Sequence, residues 1–81
     1  MNISEDIKVG VVFTEKNQPR PRWFIWQRRK YEIKEVTYTW RVREGNSLYL
    51  YFNVTDENNV YEISFNQKTL KWKLVSVREA V

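Results

Sequence analysis

The chain has neither cysteine nor histidine among its 81 residues. Without Cys there is no disulfide to staple a small core and no thiolate zinc site, and without His the imidazole metal sites and Ser-His nucleophile pairs are excluded as well. Glycine and proline are scarce, at two residues each, so no Gly-rich phosphate loop can be built. No apolar run approaches the length of a membrane-spanning helix, roughly 20 residues. The first six residues, Met1 to Asp6, are polar and acidic, with neither a basic leader segment nor an apolar stretch behind them. The expectation is a soluble, cytoplasmic protein with no membrane partner.

What is abundant is aromatic side chain, 16% of the residues, and large rings are how a short chain gathers buried area. That content argues against disorder. At this length the chain makes one domain, residues 1-81, with a core spanning about 7-78, because two domains would each be too small to outweigh chain entropy unaided.

Hydrophobic side chains recur with a period close to two. Ile7, Val9, Val11 and Phe13 form one such series, Leu48, Leu50, Phe52 and Val54 a second, Tyr61, Ile63 and Phe65 a third, and Leu70, Trp72 and Leu74 a fourth. Period two is the pattern of half-buried strands. Turn-forming residues separate them, at Lys16-Asn17-Gln18-Pro19, Glu44-Gly45-Asn46-Ser47, Asp56-Glu57-Asn58-Asn59 and Asn66-Gln67-Lys68-Thr69. Such short links leave no room for helical crossovers, so the strands form an antiparallel meander.

Between Tyr31 and Arg43 the phase slips. Tyr31 and Ile33 are odd, whereas Val36, Tyr38, Trp40 and Val42 are even. A one-residue slip turns a strand inside out unless the backbone absorbs it, which predicts a β-bulge or bend at Lys34-Glu35. A similar slip after Leu74, to Val75 and Val77, predicts a second corner. The expected fold is all-β: an antiparallel meander of about six strands forming an SH3-like closed or half-closed barrel.

Charge is unevenly spread over a net +4. Arg20, Arg22, Arg28, Arg29, Lys30, Lys34, Arg41 and Arg43 fall between residues 20 and 43, opposed there by Glu32 and Glu35 alone. The same stretch holds Trp23-Phe24-Ile25-Trp26, with large groups on both faces of a strand that can offer only one to the core. Cations neutralise phosphates while flat rings stack bases without regard to sequence, so this mixture suits single-stranded nucleic acid. The candidate binding residues are Arg22, Trp23, Arg28, Arg29, Lys30, Arg41 and Arg43, with Tyr49 and Tyr51 on the polar face of a neighbouring strand. The structural reading competes with this one, since Arg and Lys stems commonly lie over half-buried rings.

Other motifs carry less. Pro19-Arg20-Pro21-Arg22 could be a polyproline ligand, but two prolines at the start of a strand more often blunt an edge. Asp56-Glu57-Asn58-Asn59 lacks the spacing and later bidentate acid of a calcium loop and reads as a hairpin turn. No pair of acids converges in sequence for general acid-base work. A non-enzymatic binding module follows, with no cofactor and no metal. Its partner is nucleic acid, or alternatively a protein or a second copy of the chain.

Phe24-Ile25-Trp26, Arg29, Tyr31, Ile33, Trp40, Tyr61-Glu62-Ile63, Trp72-Lys73-Leu74 and Val77 together resemble a group of short bacterial proteins and domains of unknown function. The resemblance covers residues 7 to 78. Some members of that group are associated with translesion-type DNA polymerases, which implies a role in DNA metabolism. Members carry Gly where this chain has Gln27 or Arg28, which implies a differently shaped or longer turn here.

Overall fold

A computed structural model describes residues 1 to 80. Seven strands follow one another: β1 (Asn2–Phe13), β2 (Pro19–Trp26), β3 (Arg29–Glu32), β4 (Glu35–Glu44), β5 (Ser47–Thr55), β6 (Asn59–Asn66) and β7 (Lys71–Glu79). They form one antiparallel sheet in the order β3-β2-β1-β7-β6-β5-β4. The count exceeds the expected six because the long segment from Tyr31 to Arg43 is divided. Its break lies at Ile33-Lys34, where Ile33 N–H donates to Arg22 O at 3.0 Å and Lys34 N–H to Thr55 O at 2.7 Å. Consecutive residues thus bond to β2 and to β5, the strands next to the two edges, so the chain crosses from edge strand β3 to edge strand β4. This is the bend expected one residue later.

The sheet is curled but does not close into a barrel. Strand β1 makes the other corner, since Asn2 to Ile7 pair with β7 while Lys8 to Phe13 pair with β2. On the concave side Phe24, Leu50, Phe52, Val54, Tyr61, Ile63 and Leu74 are buried, with Ile7, Val9, Tyr31 and Trp72 among those packed against them. Phe24 of β2 meets Tyr61 of β6 edge-on at 5.0 Å and stacks on Tyr31 at 5.0 Å and 9°. β2 and β6 are separated by two strands in the sheet, so this contact is made across the curl.

Extra residues reset the side-chain phase along the strands. Glu62 pairs with Ser76 and Ile63 with Leu74, which leaves Val75 as the surplus residue at the expected second corner. In β2 the surplus residue is Arg22, between the pairs Gly10–Trp23 and Val11–Pro21. In β4 it is Thr37, since Val36 pairs with Val54 and Tyr38 with Asn53. This last bulge corrects the simple alternation. Val36 shares the core face with Val54, but after Thr37 the phase reverses. Thr39 and Arg41 then lie opposite Phe52 and Leu50 on the concave side, while Tyr38, Trp40 and Val42 lie opposite Asn53, Tyr51 and Tyr49 on the convex side.

β2 is an interior strand, in contrast to the edge expected from its prolines. Its proline half is nonetheless a local edge, because β3 pairs only with Trp23 to Trp26. Trp23 and Ile25 occupy the convex face opposite Gly10 and Lys8. A Cβ on Gly10 would overlap the Trp23 indole, so the glycine is the seat of that ring. The β2–β3 turn contains only Gln27 and Arg28, at φ 52° and 63°. Two left-handed residues are the signature of the tight I′ hairpin, which favours Asn-Gly. The absence of Gly has therefore left the turn short and strained rather than longer.

Two stability changes follow, both measured by urea unfolding. Gly10→Ala is expected to destabilise by roughly 1–3 kcal/mol through overpacking against Trp23. The double change Gln27→Asn and Arg28→Gly is expected to stabilise by about 1 kcal/mol, because relief of left-handed strain exceeds the added chain entropy of Gly.

Candidate nucleic-acid interface

The β1–β2 loop is organised by Thr14. Its N–H donates to Gln18 O at 3.0 Å, its carbonyl accepts from Asn17 N at 2.9 Å, and its hydroxyl accepts from the backbone of Lys16 and Gln18, each at 3.3 Å. This short closed loop fixes where Pro19 begins β2 and hence where Arg20 lies. Pro21 is fully buried, which anchors the strand one residue later. Facing this loop across the mouth of the curl is the concave side of β4.

Between them lies a cleft of about 640 Å³, lined by Lys16 and Arg20 from the loop and β2, by Arg41 from β4, and by Thr14, Gln18, Thr37, Thr39, Tyr38 and Gln67. Its apolar floor includes Pro21, Leu50 and Phe52. Among the described residues no carboxylate lines it. The size is that of small-ligand sites, and cations over a low-dielectric floor focus a positive potential into the opening. Arg43 lies two residues beyond Arg41 on the same face of β4.

The nine sequence-derived candidates divide among several places. Arg41 and Arg43 share the concave face of β4, with Arg41 in the cleft. Arg22 is exposed at the β2 bulge. Arg28, Arg29 and Lys30 lie around the β2–β3 turn, beyond the opposite end of β2 from Arg20. Arg29 sits 5.9 Å from the Tyr31 ring. Trp23 is half-buried on Gly10 with Lys30 Nζ at 5.0 Å from its ring, and that ammonium also pairs with Glu32 at 3.3 Å. Trp23 thus has a packing task. Tyr49 and Tyr51 of β5 are on the convex face, on the opposite side of the sheet from the concave arginines of β4.

These two tyrosines belong to a row of rings. Tyr38 lies 5.5 Å from Trp40, Trp40 is stacked on Tyr51 at 5.2 Å and 13°, and Tyr51 lies 6.4 Å from Tyr49. Burial, with the nearby Glu44 and Glu62 carboxylates and Tyr49, raises the Tyr51 phenol above its usual range. The outer member of the row, Tyr38, is 63% exposed and lines the cleft.

Lys16, Arg20 and Tyr38 were absent from the candidate list. Arg20 carried a signal in the local charge count, whereas the cleft position of Tyr38 depends on β4 being an edge strand of the sheet. No family model, curated protein or solved structure matches the chain. Among the described residues no helix is long and apolar enough to cross a membrane.

Asp56 does turn chemistry. Its Oδ1 accepts from the backbone N–H groups of Asn58 and Asn59 at 3.0 and 2.9 Å, and its Oδ2 accepts from the Tyr61 hydroxyl at 2.8 Å. Burial pushes this carboxyl up, but hydrogen bonds from Asn59, Tyr61 and Asn58 outweigh it and leave the group below the usual carboxylate range. For Tyr61, burial first and the Asp56 carboxylate next raise the phenol from 10.0 to about 12, against an opposing hydrogen bond from Asn59. A raised phenol favours the folded state fully below the unfolded value and loses that contribution between about pH 10 and 12. A depressed carboxyl favours it above about pH 4 and loses that contribution on acidification. Urea midpoints followed against pH should therefore fall on both limbs, less steeply above pH 10 in Tyr61→Phe and less steeply below pH 4 in Asp56→Asn.

Proposed function

We propose that this protein is a non-enzymatic nucleic-acid-binding module on a half-closed, SH3-like curled sheet, and that its binding site is the cleft between the β1–β2 loop and β4. The observation that carries the reading is that Lys16, Arg20 and Arg41 line one opening whose walls contain no carboxylate. Three cations held over an apolar floor attract a polyanion by releasing its counterions. Hydroxyl and amide groups from Thr14, Gln18, Thr37, Thr39 and Gln67 add neutral hydrogen-bonding partners that suit phosphate, sugar and base edges alike. Catalysis has less support, since no carboxylate among the described residues lines the cleft to pair with Lys16 or Tyr38 as a general base. The resemblance to short bacterial proteins associated with translesion-type polymerases points the same way, and a cytoplasmic location goes with it.

The row formed by Tyr38, Trp40, Tyr51 and Tyr49 supports a second reading, a protein partner or a second copy of the chain held on the convex face. Aromatic side chains are the residues most enriched where proteins bind one another.

Fluorescence polarisation of a labelled oligonucleotide tests the first reading. Neutralisation of three phosphates predicts a slope of about −2 for log affinity against log salt, at roughly −0.7 per phosphate on a single strand. The double variant Arg20→Gln and Arg41→Gln should reduce that slope to about −0.7. Arg28→Gln with Arg29→Gln, at the other end of β2, should leave it unchanged. Absence of binding at low salt rejects the reading, and loss confined to the Arg28 and Arg29 variant moves the site to the β2–β3 turn.

A further inference from the structure

Resting on that reading of the cleft, we propose that Tyr38 is its base-stacking residue, so that the cleft takes one nucleic-acid strand with phosphates on Arg20 and Arg41 and a base against the Tyr38 ring. Three independent features meet at this side chain. It is 63% exposed, which for a tyrosine in the body of a strand leaves a large ring area unused by the fold. It borders the cleft at the rim of the edge strand β4, although the Thr37 bulge turns its register toward the convex side beside Trp40. And its other neighbours hold it in place: Trp40 lies 5.5 Å away and is itself stacked on Tyr51 at 5.2 Å.

That backing matters physically. A lone tyrosine on an edge strand samples several rotamers, and a base that stacks on it must first stop this motion. A ring already braced by an indole loses less freedom on binding. Trp23 offers no comparable surface, since Gly10 and Lys30 already engage it. Phe13, though 65% exposed, does not line the cleft.

Charge and size then choose the occupant. The cationic lining calls for phosphates beside the ring, and a base can reach a ring face only when it is unstacked from its neighbours. In a duplex the base faces are already covered. An opening of about 640 Å³ in a molecule whose longest extent is 34 Å admits one strand rather than two. Stacking is indifferent to which base is present, so the site is expected to distinguish strands with bases from strands without them more than one sequence from another.

The test compares three probes of equal length by fluorescence polarisation at one salt concentration: oligothymidylate, an abasic phosphodiester and a duplex. The wild-type protein should bind oligothymidylate best. Tyr38→Ala should weaken oligothymidylate binding about tenfold, within the range of one base–aromatic stack, and leave the abasic probe unaffected. Tyr38→Phe should retain wild-type affinity for both. Near-ultraviolet circular dichroism of each variant checks that the Trp40–Tyr51 stack persists. Equal wild-type affinity for oligothymidylate and the abasic probe overturns the stacking role, as does a Tyr38→Ala protein that binds oligothymidylate normally or loses both probes equally. A preference for the duplex overturns the single-strand assignment. If Arg41→Gln weakens both single-stranded probes in any of these cases, the cleft reading survives while the role of Tyr38 does not. If the wild-type protein binds no probe at low salt, both fall together.

Discussion

Phe24 and Tyr61 belong to strands that are not neighbours in the sheet, yet their rings meet edge-on at 5.0 Å. An aromatic pair of this geometry contributes about 0.5–1.5 kcal/mol beyond its burial. Its larger consequence is shape, because it holds the β2 side of the sheet over the β6 side and gives the concave face something to bury against. Tyr61 is tied in turn to the β5–β6 turn through Asp56, so a local hairpin and a long-range contact share one side chain. At the Phe24 end the curl is filled by rings. Toward the β1–β2 loop it opens, and the cleft is that unfilled end.

The open end depends on where the strands carry surplus residues. A strand offers alternate side chains to opposite faces, so one extra residue exchanges the faces for everything that follows. In β4 that exchange at Thr37 sends Arg41 inward and Trp40 outward. An inward-pointing charge and a bulge on an edge strand both discourage pairing with another chain. The same arginine supplies positive charge to the cleft. Protection of the edge and the electrostatics of the opening therefore come from one feature of the backbone, and Tyr38 lies at its pivot.

Much of this was legible in the chain. Strict alternation around Phe52 and Ile63 marked strands, and the turn residues marked their ends, because both are local properties of neighbouring residues. The phase slips near Lys34 and Val75 were legible for the same reason, and each coincides with a bend or bulge. The bulge at Thr37 left no such trace. Val36, Tyr38, Trp40 and Val42 keep one unbroken alternation, and only the pairing with β5 reveals that they do not share a face. Likewise the concentration of cations between residues 20 and 43 was visible, but their division between the cleft and the β2–β3 turn depends on the length of β2, which separates Arg20 from Arg28. The packing of Trp23 on Gly10 was hidden in a similar way, since thirteen positions separate them in sequence.

By itself the sequence determined an all-β chain without thiol or imidazole chemistry, the places where its strands turn, and an excess of positive charge between residues 20 and 43. These are settled by the period of the side chains, by backbone preferences of a few residues and by composition, none of which requires knowing what lies across the sheet. Tertiary structure alone decided which side of each strand is inside, which cations share an opening, and which ring stands at its rim. Those outcomes rest on register, and register is chosen by the joint burial of residues far apart in the chain, so no local pattern contains it.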